Sequence, residues 1–404
     1  MNDFSFIHCA DLHLDSPLRG LSRMEGSPDL KQATRRALEK LIQLALDEQV
    51  DFVLIAGDLY DGDWDHYQTG LFFVEQMHRL AAANISVFMV YGNHDAQSQA
   101  NKKLVLPKNV FVFDSQQPET TYLERCRVAV HGQSFSRRDV TENLAETYPA
   151  ASDGFFNIGV LHTALSGRAG HDYYAPCSLD DLKSKAYDYW ALGHVHQYEE
   201  ICIDPWIVYS GNIQGRHSRE LGDKGCVVVR VQDCKVVNVN HHPLHLIAWH
   251  HLELDVSGFQ EEEALLTKLE ADLSVLPIEQ GVVRVSLKGK TLLHHALKSY
   301  SEALKNAIRS VFPSHLWLEK VVVHTSLMIH DDDMADEDVL SLLAWDQGVD
   351  DATLQAYAHE YQALKTKVKG TLREDFMCFE PHELKKIMPD VESILHARLM
   401  EKTS

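Results

Sequence analysis

With 404 residues, 45% of them hydrophobic, the chain is long enough for two or three compact domains, each with its own core. No apolar run approaches the roughly 20 residues of a membrane span, and seven cysteines, odd in number and without a Cys-x-x-Cys, fit reduced thiols rather than a disulfide framework or a zinc knuckle. The formal net charge of −21 excludes a surface that coats nucleic acid generally, because such binding relies on Lys and Arg neutralising phosphates, so a nucleic-acid substrate would need local cations or bound metal.

The N-terminus MNDFSFIHCAD has neither a charged n-region nor a cleavage site, which makes a cytoplasmic protein the expectation. In chain order, FSFIHCA opens as a β-strand. Ser27 and Pro28 then supply an N-cap followed by proline at the first helical position. Leu30, Ala33, Ala37, Leu38, Leu41, Leu44 and Ala45 recur at helical spacing and predict a helix to about residue 48. VDFVLIAG (50–57) reads as a strand, 66–83 as a second helix and ISVFMV (85–90) as a third strand. Continuously apolar strands alternating with helices mark sheets covered by helices. Further strands are predicted at NVFVF (109–113), RVAVHG (127–132), FFNIGVLH (155–162), YDYWALG (187–193), IVYSG (207–211), CVVVRV (226–231) and VVNVN (236–240).

After about residue 247 the pattern changes to strand 249–256, helix 261–273, strand 281–287, helix 296–312 and strand 316–327, a β-α-β-α-β unit long enough for a separate domain. HDDDMADED (330–338) reads as a solvated acidic linker. Beyond it, Leu354, Tyr357, Tyr361, Leu364 and Val368 form one apolar helical stripe. A second, broken at Pro389, runs through Leu384, Ile387, Val391, Ile394, Leu395 and Leu399. Each stripe either packs on the protein's own body or docks to a partner. The chain therefore divides at 1–247, 248–328 and 329–404.

Five polar clusters stand where apolar strands end: Asp11-Leu-His13, Asp58 in AGDLYD, Asn93-His94-Asp95 in VYGNHD, His162 closing GVLH, and His194-Val-His196 in GHVH. Open α/β sheets place their ligand sites at such carboxyl ends. A single histidine there is ordinarily structural, and Gly-Asn-His-Asp alone suits a turn. Five clusters on one edge, all offering nitrogen and oxygen donors of intermediate hardness, point instead to metal. The chemistry that uses such a set is phosphoester hydrolysis with two divalent ions roughly 3.5–4 Å apart, which activate water for in-line attack and offset charge on the phosphoryl oxygens.

Ions that close repel unless an anionic ligand lies between them, which makes Asp58 the candidate bridge. One ion can take Asp11, His13, Asp58 and His196, and the other Asp58, Asn93, His162 and His194. Asn93 would ligate without adding charge. His94 is left to act as general acid or stabiliser toward the leaving group, with Asp95 expected to hold its imidazole. Asn212, Arg216 and His217, together with Arg219, lie in a loop after the GHVH cluster. They are candidates for phosphate contact, and a surface loop with incidental charges would carry the same residues.

Asp11-x-His13, Gly57-Asp58-x-x-Asp61, Gly92-Asn93-His94-Asp95, His162 and Gly193-His194-x-His196 together resemble the motif set of the calcineurin-like metallophosphoesterase superfamily. The resemblance covers residues 1 to about 247, with 248–328 matching by pattern alone. It implies an α/β fold, a four-layer α-β-β-α sandwich with a small α+β capping domain at 248–328 and a C-terminal helical tail. It also implies that Asp58 bridges and that His94 is catalytic but not a ligand. FIHCADLH, GDLYD and the appended β-α-β-α-β unit look like the SbcD-type DNA repair exonucleases, and IHCADLHLDSP with YSGNIQGRH (209–217) looks like their YhaO-like bacterial members.

For that branch the resemblance implies two Mn2+ ions, with Fe, Zn or Mg as alternatives, and DNA as the substrate, held partly by the capping domain. It further implies a homodimer whose surface falls at the helix over 66–83, and C-terminal helices docked on an SMC-like, SbcC-type ATPase. Asp61 stands where some relatives carry histidine, so no second catalytic histidine is expected. Protein phosphatases resemble Gly-Asp-x-Val-Asp-Arg-Gly and Gly-Asn-His-Glu, which this chain lacks. A small-molecule or cyclic-nucleotide phosphodiesterase uses the same metal core and suits the acidic surface. A third reading makes the chain mainly an interaction subunit that recruits the ATPase.

Overall fold

A computed structural model describes residues 3–16, 32–61, 67–96, 104–166, 174–328 and 355. The expected cap at Ser27-Pro28, the acidic linker and both C-terminal stripes lie outside these residues. The first half alternates as expected: β1 (Phe4–Cys9), α1 (Ala33–Asp47), β2 (Phe52–Ala56), α2 (Gln68–Ala82), β3 (Ser86–Val90) and β4 (Val110–Val112). Next come β5 (Glu119–Leu123), β6 (Val128–Gly132), a 3-10 turn (Leu144–Thr147), β7 (Phe156–His162), α3 (Leu179–Ser184), β8 (Tyr189–Gly193), β9 (Glu199–Ile203) and β10 (Trp206–Tyr209). β11 (Gly225–Gln232) and β12 (Lys235–Pro243) return to the first sheet.

Among the described residues these strands form two six-stranded sheets, ordered β12-β11-β1-β2-β3-β4 and β5-β6-β7-β8-β10-β9. β1 to β4 run parallel, as do β6, β7, β8 and β10, whereas β5, β9, β11 and β12 pair antiparallel. The central strands are apolar on both faces because both faces are covered. Phe6, Phe52, Leu54, Phe88 and Val90 meet Val130, Ile158, Val160, Tyr189 and Val208 between the sheets. The residues in between, Ile7, Val53, Ile55, Val87 and Met89, pack under α1 and α2 through Leu38, Leu41, Phe73 and Met77. On the far side, Trp190, Leu192 and Leu161 pack with Leu182 of α3 and Ala145. The result is the expected four-layer arrangement, with sheets flanked by helices.

The remaining elements are β13 (Ala248–Asp255), α4 (Glu262–Ser274), β14 (Gly281–Thr291), α5 (His294–Ser299), α6 (Glu302–Ser310) and β15 (Leu316–Leu327), with the three strands ordered β13-β14-β15. The helix expected over 296–312 is two helices. Tyr300 turns left-handed at φ 39° and ψ 56°, and Ser301 starts α6 by accepting the Leu304 amide at 3.2 Å. By compactness, one unit comprises the described residues through Leu252 with Val275–Val285 and Phe312–Val321. The other comprises Glu253–Ser274, Ser286–Val311 and the described residues from Val322 onward.

Candidate metal centre

The ends of β1, β2, β3, β7 and β8 deliver the five clusters to one place in the first unit. Past β1, the Asp11 amide donates to Gly57 O and the His13 amide to Asp58 O, both at 3.0 Å, so the β1–β2 alignment continues into the loops. The loops are bent sharply. Asp11, His13, Asp58 and His194 all have left-handed φ values, of 51°, 41°, 52° and 99°. Non-glycine residues hold that conformation only where their surroundings over-determine it, and such strain collects at functional sites. Two glycines make the approach possible: a Cβ on Gly92 would lie 2.3 Å from Asp58 Oδ1, and one on Gly193 would lie 1.8 Å from Ala56 O.

The donor atoms form two overlapping groups. His162 Nδ1 donates to Ala56 O at 2.9 Å, which leaves its Nε2 lone pair facing Asn93 Oδ1 at 2.9 Å and Asp58 Oδ2 at 3.6 Å. His196 Nδ1 donates to Glu220 Oε1 at 2.7 Å, so its Nε2 faces His13 Nε2 at 3.3 Å and Asp11 Oδ1 at 3.8 Å. Asp58 Oδ2 stands between the groups, 3.7 Å from His13 Nε2 on one side and 3.6 Å from His162 Nε2 on the other. Lone pairs aimed at one another across such distances repel unless a cation lies among them. Burial also draws the His13 pKa down to about 3, so its ring is neutral, as a ligand must be. Burial, then the nearby Asp58 carboxylate, pushes the Asp11 carboxyl well above its usual range. The residues fit divalent metal. Asp11, His13 and His196 can converge on one ion, and Asp11, Asp58 and His162 on another.

His194 joins through its amide, which donates to both Asp11 oxygens at 3.2 and 3.0 Å, while its ring lies edge-on to His162 with centroids 5.3 Å apart. His94 sits at the mouth, its side chain 30% exposed, with Nδ1 3.1 Å from Asp61 Oδ1. The centre opens into a cavity of about 660 Å³ lined by Asp58, Asn93, His94, His194 and His196, and also by Arg138, Arg216, His217, Arg219 and Lys224. Cations thus border the site on a chain of net charge −21.

Residues 4–198 match the calcineurin-like phosphoesterase family, and residues 249–326 match the family described as the middle domain of the metallophosphoesterase YhaO. The chain is 37% identical over 293 residues to the "Uncharacterized metallophosphoesterase YhaO" of Bacillus subtilis (strain 168), covering 71% of this chain and 72% of that protein. It belongs to the calcineurin-like metallophosphoesterase family. Within this family it is also similar to a "DNA double-strand break repair protein Mre11" of Sulfurisphaera tokodaii, at 22% identity over 76% of this chain and 79% of the relative. A component of the nuclease SbcCD of Staphylococcus epidermidis is 24% identical over 59% of this chain and 69% of that one. The chain is a metallophosphoesterase, a metal-dependent phosphoester hydrolase, and among its described residues no helix is long and apolar enough to cross a membrane.

Two sequence expectations for this metallophosphoesterase are corrected. Asp95 accepts the amides of Leu59, Tyr60 and Gly92 at 3.1, 2.9 and 3.0 Å, which commits its carboxylate to the loop backbone, and the carboxylate set against the His94 imidazole is that of Asp61. Asn212 is fully buried and donates to Gln214 O and Glu220 Oε2, both at 2.9 Å, so it braces its loop instead of reaching a phosphate. Sequence reasoning missed Glu220 and Lys224, whose Nζ holds His196 O at 2.7 Å. Neither belongs to a spaced motif, and the signal for both is three-dimensional.

Proposed function

We propose that this chain is a two-metal phosphodiesterase acting on DNA, a nuclease of SbcD type. The observation that carries the reading is the convergence of buried nitrogen and oxygen donors beside a partly exposed histidine, under a cavity edged with arginines. Asp11, His13, Asp58 and His196 would hold one ion, and Asp58, Asn93, His162 and His194 would hold the other, sharing Asp58. Bound there, divalent ions, manganese in this reading, activate water and neutralise charge on the phosphoryl oxygens.

His94 does the remaining proton work. Its hydrogen bond to Asp61 raises its pKa, so the imidazolium is populated nearer neutral pH and its other nitrogen is free to protonate the leaving alkoxide. Arg216, Arg219, Arg138 and His217 border the cavity, and in this reading they contact the phosphates of a polyanion. The names of the Mre11 and SbcCD relatives support DNA as the substrate. In this reading 248–328 caps the site, a homodimer forms at α2, 329–404 docks an SMC-like ATPase, and the protein works in the cytoplasm.

A manganese-dependent assay on labelled double-stranded DNA beside an aryl phosphodiester tests the substrate. Cleavage of DNA by the wild type, with His94→Ala retaining its metal yet losing about 10²- to 10⁴-fold in turnover, is the expected result. Asp58→Ala should lose metal as well. Hydrolysis of the small ester alone, which the acidic surface would favour, removes the nuclease reading.

A further inference from the structure

Glu220 is an acid buried beside ligands that are already anionic, its side chain only 6% exposed. Its Oε1 lies 2.7 Å from His196 Nδ1 and 3.5 Å from Arg216 Nη2, and its Oε2 accepts from Asn212 Nδ2 at 2.9 Å and from the Arg216 amide at 2.7 Å. An ionised carboxylate can only accept, so the proton of His196 is fixed on Nδ1 and its Nε2 lone pair is turned toward Asp11 and His13. Lys224 holds the backbone of the same histidine through His196 O at 2.7 Å. Arg216 extends the connection, with Nη1 3.4 Å from Asp61 Oδ1, the atom that also meets His94.

We infer that Glu220 is a positioning residue that sets the tautomer and ring orientation of His196 for metal, and that Arg216 ties this carboxylate to the Asp61–His94 pair. The inference rests on the two-metal reading above. A carboxylate on the far nitrogen of a ligating histidine orients the ring and raises its basicity, and losing such a partner weakens metal binding by about 10- to 100-fold.

Calorimetric titration of the full chain with Mn2+ tests this on the wild type, Glu220→Gln, Glu220→Ala, His196→Ala and the Glu220→Ala/His196→Ala double variant, with melting curves recorded in chelator. Glu220→Ala should weaken one of two binding events by about 10- to 100-fold, and Glu220→Gln should lose less because its carbonyl still accepts from Nδ1. In the His196→Ala background, Glu220→Ala should cost nothing further, because the histidine through which it acts is gone. Unchanged affinity in both Glu220 variants overturns the inference. So does an additive loss in the double variant, or an equal loss at both events accompanied by a collapsed melting curve, since either would make Glu220 a brace of its loop alone. A wild type that binds no Mn2+ instead removes the two-metal reading itself, which keeps the two failures distinguishable.

Discussion

Asp61 Oδ1 gathers His94 Nδ1 at 3.1 Å, Arg216 Nη1 at 3.4 Å and His13 Nδ1 at 3.5 Å, while its Oδ2 accepts from Ser16 at 2.8 Å. The His13 and His94 imidazoles set against it hold its carboxyl far below the usual range, so it stays anionic throughout the working pH. Asp95, although next to His94 in sequence, spends its oxygens on three backbone amides. The two carboxylates should therefore fail differently. Asp61→Asn should slow turnover about 10-fold or more with little change in denaturant midpoint, since it alters the partner of the His94 imidazole rather than the loop. Asp95→Ala should cost about 3 kcal/mol or more of stability, because three buried amides lose their acceptor at once. Turnover and unfolding curves on the two variants check the pair, and a stable Asp95→Ala with impaired turnover would reverse the assignment. The residue types of the site were legible because ligand chemistry restricts them to Asp, His and Asn at strand ends. Who faces whom was not legible, because adjacency along the chain says nothing about which way a side chain leaves a sharply bent loop.

The loops themselves explain why glycine precedes the key residues of β2, β3 and β8. A methyl group at Gly92 would sit 2.3 Å from Asp58 Oδ1 and 2.8 Å from Asp58 N, so Gly92→Ala must push the Asp58 carboxylate or its loop aside. Overpacking of this kind costs about 1–3 kcal/mol. The strain falls on the ligand loop, so metal affinity should drop by about 10-fold or more while the secondary structure seen by circular dichroism persists. Unaltered metal binding in the alanine variant would mean that the loop yields at no cost to Asp58. At this scale the central strands were legible because burial on both faces leaves continuous apolar runs, as in FVLIA of β2 and SVFMV of β3. β5 and β9 were not. ETTYL and EEICI lie at sheet edges, partly exposed, and carry no such run. α3 has only six residues and is set by a capping box between Ser178 and Asp181 rather than by an apolar stripe. The α5–α6 break was hidden because apolar spacing continues across Tyr300 while the backbone does not.

Across the whole sandwich, His8 links the two sheets from the C-terminal end of β1: its Nδ1 is 3.0 Å from Tyr189 Oη and its Nε2 is 3.2 Å from Leu192 O, both on β8. The carbonyl can only accept, so Nε2 carries the proton, Nδ1 accepts from the tyrosine, and the ring is neutral. Burial draws its pKa down to about 3. The sign of the consequence follows from proton counting. Above the unfolded value near pH 6.5 both states are neutral at this residue and its full contribution is present. Between about pH 6.5 and 3 the unfolded chain binds a proton that the folded one refuses, so stability is lost as pH falls, by about 1.4 kcal/mol per unit at most. His8→Gln keeps a donor and an acceptor in place without the titration. It should therefore begin less stable at pH 8, yet lose less on acidification, and the difference between the two unfolding curves, taken in chelator from pH 8 to 4, should shrink steadily below pH 6.5. A difference that stays constant over that range would mean that the folded protein accepts the proton as readily as the unfolded chain, and that His8 does not contribute to the acid lability of the sandwich.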